Sequence, residues 1–174
     1  MEHKRRSIRL KGYDYSSAGY YYVTICAFKR FLIFGRIFDK RMLLNKVGLV
    51  VKEELLKTVQ MRKNVIIDDF AIMPNHVHLV LIIRNVNDVG AYCNTPLQVG
   101  NLVSPKNNLG SIIRGIKSVT SKRIQEIKDD GFPVWQRNYY ERIIRNETEY
   151  LKIMKYIRLN PLMWERDRNN PRPI

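Results

Sequence analysis

The stretch Val65-Ile-Ile-Asp-Asp-Phe-Ala-Ile-Met-Pro74-Asn75-His76-Val-His78-Leu-Val-Leu-Ile-Ile83 decides the architecture. It is rich in β-branched residues, and it is longer than the roughly 3–10 residues of an ordinary strand. Pro74 pre-sets a turn dihedral and Asn75 tolerates unusual ones, so two antiparallel strands joined at Pro74-Asn75 are predicted. Before them, residues 20–28 (YYYVTICAF) predict a strand and residues 31–38 (FLIFGRIF) a weaker one. Residues 45–62 place Val47, Val50, Val51, Leu55 and Val59 on one face of an amphipathic helix. After the paired strands, residues 109–128 read as a helix with Ile112, Ile113, Ile116, Val119 and Ile127 inward. Residues 134–144 then read as a strand. Asn146 is placed to cap a last helix, which Pro161 ends. Strand-helix-strand repeated twice predicts an α+β fold: a ferredoxin-like antiparallel sheet with helices on one face, plus a C-terminal helix. One domain is expected over residues 1–174. It has a basic arm at 1–12, a flexible Gly-, Asn- and Pro-containing loop at 84–108 and a polar tail at 162–174.

The composition is globular, with 45% hydrophobic and 10% aromatic residues, so disorder is excluded. Thirty-one Lys and Arg against 16 Asp and Glu give a net charge of +15, which makes an acidic polymer the expected partner. No apolar run approaches the ~18 residues of a membrane span. The N-terminus has no apolar segment behind its basic start, so no signal peptide is expected. Cys26 and Cys93 are too few for a disulfide scaffold, and no C-x-x-C is present; a cytoplasmic location is expected. No Walker-type loop or G-x-G-x-x-G appears, so no nucleotide cofactor is expected. The length is too short for a barrel metallohydrolase, which needs ~250 residues.

Two constellations carry chemistry. His76 and His78 are i and i+2 in a strand and share a face, where both imidazoles can hold one divalent ion. Two partly buried histidines satisfied by neighbours fit the same pattern. Tyr156 and Asn160 are i and i+4 on the last helix and share a face too. A phenol can attack phosphorus when charge is neutralised nearby, and an amide oxygen can ligate a metal. On spacing alone, a ring-packed tyrosine and a capping asparagine fit better.

The combination resembles the single-tyrosine HUH transposases, and among them the REP-associated tyrosine transposases. The likeness runs from about residue 5 to 171. It is carried by RRSIRLKGYDYSSAGYYYVTIC, MPNHVHLVLI, VWQRNYYERIIRNETEYL and YIRLNPLMWERDRNNP, with 84–108 unmatched. It implies that His76 and His78 bind catalytic Mg²⁺ or Mn²⁺, that Asn160 is the third ligand and that Tyr156 is the nucleophile. The implied reaction cleaves and rejoins single-stranded DNA at hairpin-flanked sites through a 5′-phosphotyrosine intermediate. Arg5, Arg6, Arg9 and Lys11 in the arm, Arg114, Lys117, Lys122 and Arg123 on the second helix, and Arg137 are candidates for contacting hairpin or single-stranded DNA. Tyr13, Tyr15, Trp135, Tyr139 and Tyr140 are candidates for stacking on unpaired bases. A homodimer and a monomer are both compatible with the resemblance. Two other functions fit the residues alone: a non-catalytic nucleic-acid-binding protein with structural histidines, and a metal-dependent nuclease that uses water.

Overall fold

The computed structural model describes residues 13–15, 17–84 and 108–171. Arg5, Arg6, Arg9, Lys11, Cys93 and most of the expected loop lie outside the described residues. The order is β1 (Gly19–Cys26), β2 (Gly35–Phe38), β3 (Arg41–Leu44), α1 (Lys46–Met61), β4 (Val65–Met73), β5 (His76–Ile83), α2 (Leu109–Lys128), β6 (Tyr140–Ile144) and α3 (Glu147–Leu159). Short 3₁₀ turns occupy Phe28–Arg30 and Pro161–Arg166.

Four strands form an antiparallel sheet in the order β4-β5-β1-β6. With α1 after β1 and α2 after β5, this is the ferredoxin-like arrangement. Met73 pairs with His76, so Pro74 and Asn75 alone make the turn between β4 and β5. The carbonyls of that turn are taken by Phe34 N–H and Ala27 N–H, which leaves neither buried and unpaired. β2 and β3 form a separate small hairpin, turned by Asp39 and Lys40 at positive φ. Gly48 lets the first turn of α1 approach this region: a Cβ there would lie 2.2 Å from the Phe34 carbonyl oxygen.

Alternation along the strands sets two faces. Tyr21, Val23 and Ile25 of β1, with Val77, Leu79 and Leu81 of β5, face α1 and α2 in the main core. The opposite face is covered by α3, whose Met154 and Ile157 pack on Val80 and Ile144. Asn45, Asn108 and Asn146 cap the three helices, accepting from the N–H groups of Gly48, Ser111 and Glu149. Leu79 is fully buried on a central strand. Leu79→Ala is expected to destabilise the fold by about 2–5 kcal/mol, readable in urea unfolding.

Several expectations are corrected. Val119 and Ile127 of α2 are 46% and 47% exposed, while Thr120 and Ile124 take the inward positions. The residues before Tyr140 are irregular, joined to β1's end only by the bridge Ala27–Trp135. Trp135 is 7% exposed and its indole N–H donates to Thr120 Oγ1 at 2.9 Å. It packs on Phe34 with ring centroids 4.9 Å apart, a core role and not a stacking platform. Tyr13, Tyr15 and Tyr139 also pack against the core, whereas Tyr140 is 48% exposed.

Candidate active site

His76 and His78 lie on the α3 face of the sheet, both fully buried. On β1, Cys26 stands opposite His76 and Thr24 opposite His78; on β4 their partners are Met73 and Ala71. The two Nε2 atoms are 2.9 Å apart.

The other ring nitrogens are held by neighbours. Asn75 is fully buried, and its amide nitrogen donates to the carbonyls of Arg30 (3.1 Å) and Asn169 (2.7 Å). Its Oδ1 is thereby turned toward His76 Nδ1, 2.8 Å away, and accepts that proton. His76 Nε2 is left with a free lone pair. His78 Nδ1 is 2.8 Å from both the Tyr22 and Thr24 hydroxyls, which can donate or accept and so suit either tautomer. A proton on His78 Nε2 would account for the short Nε2–Nε2 distance without a cation; moving it to Nδ1 frees both Nε2 atoms for one.

Burial holds both imidazoles neutral. It pushes the His76 pKa down to about 4, with Asp167 opposing and Arg30 and Arg168 assisting. It lowers His78 well below the usual range, with the charges of His76 and Arg168 adding to the effect. Neutral imidazole is the form that ligates metal.

α3 delivers Tyr156 to the same place. Its ring lies 5.3 Å from the His78 ring and 6.4 Å from Tyr22, and the residue is nearly half exposed to solvent. Burial and the Asp167 charge raise the phenol pKa, while a hydrogen bond with Asn160 and the charge of Arg168 pull it down. Pro161 does not release a tail: Pro161–Arg166 turns the chain back across the site. Trp164 comes to lie 6.1 Å from the His76 ring. Asp167 Oδ2 accepts from Asn160 Nδ2 (3.1 Å) and from the Tyr156 hydroxyl (3.4 Å), and Oδ1 accepts from Asn169 N–H (2.6 Å).

Ligand atoms of His76, His78 and Asp167 all lie within 4.8 Å of one another, a group that can hold a metal ion. Asn160 is 2% exposed, and among the described residues its Oδ1 has no hydrogen-bond partner. Asn160 touches Asp167 through its Nδ2, and imidazole, carboxylate and amide oxygen donors are the types that suit a divalent ion. The structure brings His76 and His78 together with Asp167, which the sequence did not single out, and sets Asn160 against Asp167; Asn75, Tyr22 and Thr24 hold the outer ring nitrogens. Asp167 falls within WERDRNNP, and Asn75 directly precedes His76. Their positions were visible in the sequence, but only the fold gives them these neighbours.

The basic candidates separate. Arg114, Lys117 and Arg137 line one open groove of about 350 Å³ with Ser118 and Ser121. Lys117 Nζ also donates to the carbonyls of Gln136 and Arg137, and burial lowers its pKa. Lys122 is exposed on α2 outside that lining. Arg123 is engaged by Glu53 at 2.8 Å and Glu54 at 2.6 Å.

No family model matches the chain. A protein of Haemophilus influenzae, described as uncharacterized, is 44% identical over 172 residues, covering 95% of this chain and 92% of its own. The chain belongs to that protein's family. Among solved structures, a REP-associated tyrosine transposase bound to a REP hairpin superposes with a TM-score of 0.55 at 19% identity. The match spans 94% of this chain and 74% of the transposase. The two chains share a fold. Among the described residues, no helix is long and apolar enough to cross a membrane.

Proposed function

We propose that the chain is a REP-associated-type HUH transposase that cleaves and rejoins single-stranded DNA beside hairpins through Tyr156. The observation that carries this reading is the gathering of Tyr156, Asn160 and Asp167, from the C-terminal region, against His76 and His78 from the sheet. A solvated phenol next to a group fit for a cation is what attack on phosphorus requires.

His76, His78, Asp167 and Asn160 Oδ1 are the groups that would hold the ion, and two imidazoles with oxygen donors favour Mn²⁺ over Mg²⁺. When bound, a divalent ion supplies charge neutralisation at the non-bridging phosphate oxygens. The Tyr156 oxygen attacks phosphorus and its proton passes toward Asp167 Oδ2, to which it is already hydrogen-bonded. Tyr156 enters the reaction as a protonated phenol, its pKa raised by burial and by the Asp167 charge. The P–O3′ bond breaks, the 3′-oxygen takes up a proton, and the 5′-phosphate stays on Tyr156. A 3′-hydroxyl attacking that linkage reverses the exchange, so one phosphodiester is traded for another without a nucleotide cofactor.

The groove of Arg114 and Arg137 supplies a track for the phosphates of the hairpin stem. Replacing both arginines by Ala is expected to flatten the dependence of log binding constant on log salt by about 0.9 for each duplex phosphate that is no longer neutralised. An unchanged slope would move the track elsewhere. The reading as a whole is tested by incubating the chain with Mn²⁺ and a single-stranded hairpin oligonucleotide, then separating the products under denaturing conditions. A protein–DNA adduct is expected; a nicked product without adduct would mean that water is the nucleophile.

A further inference from the structure

The segment that carries Asp167 also carries Arg168, and its backbone is fixed from several sides. Arg30 Nη1 donates to the Arg168 carbonyl at 3.2 Å, and the buried Asn75 amide donates to the Asn169 carbonyl at 2.7 Å. Asp167 accepts from the N–H of Asn169 through Oδ1 and from the N–H of Asn170 through its carbonyl. The Arg168 side chain is left outside this framework. It is exposed, and among the described residues no carboxylate pairs with it. Its guanidinium stands over the exposed ring of Tyr140, 5.9 Å from the centroid, a weak hold at a solvated place. Tyr140 pairs with Thr24 on one side, and Thr24 pairs with His78 on the other. Paired residues share a face, so the three form one row, and Tyr140 stands two strand spacings, about 10 Å, from the histidine. The Arg168 charge is felt at His76, His78 and Tyr156 alike.

An unpaired guanidinium at the rim of this group can do what its neighbours do not. A phosphodiester carries one negative charge. Once the Tyr156 oxygen has bonded to phosphorus and its proton has passed to Asp167, the non-bridging oxygens carry a second. A planar fork of parallel N–H donors matches such oxygens in geometry and in charge, and it stabilises most where the charge has grown. We infer that Arg168 leaves the Tyr140 ring to bind the non-bridging oxygens of the phosphate that Tyr156 attacks, and that it is a catalytic residue of the strand exchange. The fixed backbone of residues 167–170 sets the point from which the side chain swings, and the weak hold on Tyr140 lets it go. This inference rests on the DNA-processing reading and adds to it a cationic group from the chain itself.

The test uses the full chain and a single-stranded hairpin oligonucleotide in which one phosphate at a time is replaced by a neutral methylphosphonate. Without divalent metal, fluorescence anisotropy should find one position where the replacement weakens binding about tenfold. In Arg168→Ala that penalty should vanish while the penalties elsewhere remain. With Mn²⁺, the same position should be the one that is cleaved. Arg168→Ala should then form the adduct about 10²–10³-fold more slowly, and Arg168→Lys should recover part of the rate. The rise in thermal stability brought by Mn²⁺ should stay at the wild-type value. A wild-type chain with no such position, a penalty unaltered in Arg168→Ala, or an adduct formed by that variant at the wild-type rate overturns the inference. So does a rate loss matched by loss of the Mn²⁺ stabilisation, which would make Arg168 a support of the histidine group. A chain that forms the Tyr156 adduct yet is indifferent to Arg168→Ala refutes Arg168 alone. One that forms no adduct but loses its single penalty in Arg168→Ala supports the phosphate contact and refutes the transposase reading.

Discussion

Tyr156→Phe is expected to abolish both DNA cleavage and the covalent adduct, with a loss of rate on the order of 10⁴-fold or more. The substitution keeps the ring, so its packing beside His78 and Tyr22 survives. It removes only a hydroxyl whose hydrogen bond to Asp167 is long, at 3.4 Å, on a side chain that is 43% exposed. The stability change should stay below about 1 kcal/mol, since an exposed neutral hydrogen bond contributes little net. DNA affinity should be preserved, because the cationic groove formed by Arg114 and Arg137 is untouched. The two readouts are the adduct on a denaturing gel and the nicked oligonucleotide. A Phe variant that cuts at the wild-type rate would make water or another group the nucleophile, and the proposed mechanism would fail.

The fold could be read from its punctuation. Pro74-Asn75 divided an overlong apolar run at the position where β4 turns into β5, because proline fixes one turn dihedral whatever its surroundings. The asparagines at 45, 108 and 146 cap helices because their side chains satisfy local N–H groups, an interaction set by sequence distance alone. Elements held by distant partners were harder to read. The segment before Tyr140 has the apolar and aromatic residues of a strand, but Trp135 is drawn into the core by Phe34 and Thr120. Within α2, the helical period alone did not distinguish Val119 and Ile127, which are exposed, from Ile124, which is buried. Which side of a helix is covered depends on its neighbour.

The site divides along the same line. Same-face spacing brings His76 to His78, and one helical turn brings Tyr156 to Asn160; both are local facts. Asp167 is seven residues beyond Asn160 in a stretch rich in charge and asparagine, with no periodicity to mark it. It reaches the site because Pro161–Arg166 folds back across His76. Asn75 has a turn role that explains it fully at the level of sequence. Its second role, holding His76 Nδ1, depends on Arg30 and Asn169, residues 45 and 94 positions away.

Removing a ligand from this group should be the other large effect. At a Mn²⁺ concentration 100 times its dissociation constant, binding to the folded chain alone should stabilise it by about 2.7 kcal/mol. His76→Ala is expected to eliminate that stabilisation along with cleavage, because the two Nε2 atoms 2.9 Å apart form the centre of the group. Thermal unfolding with and without Mn²⁺ reads this without any turnover. A His76→Ala chain still stabilised by Mn²⁺ to the wild-type extent would place the ion elsewhere. Asn75→Ala leaves both imidazoles in place but frees His76 to take the other tautomer, so Mn²⁺ affinity should fall about 10–100-fold. Asp167→Asn then separates the two oxygen donors. It retains a side chain of the same size against Asn160 and Tyr156 but removes the negative charge. If the carboxylate holds the ion, affinity drops by at least as much as in Asn75→Ala. If the open Oδ1 of Asn160 suffices beside the histidines, affinity is unchanged and Asp167 serves only to position Asn160 and Tyr156. The carboxylate is the expected ligand, because two neutral imidazoles and a neutral amide leave the charge of a buried divalent ion uncompensated.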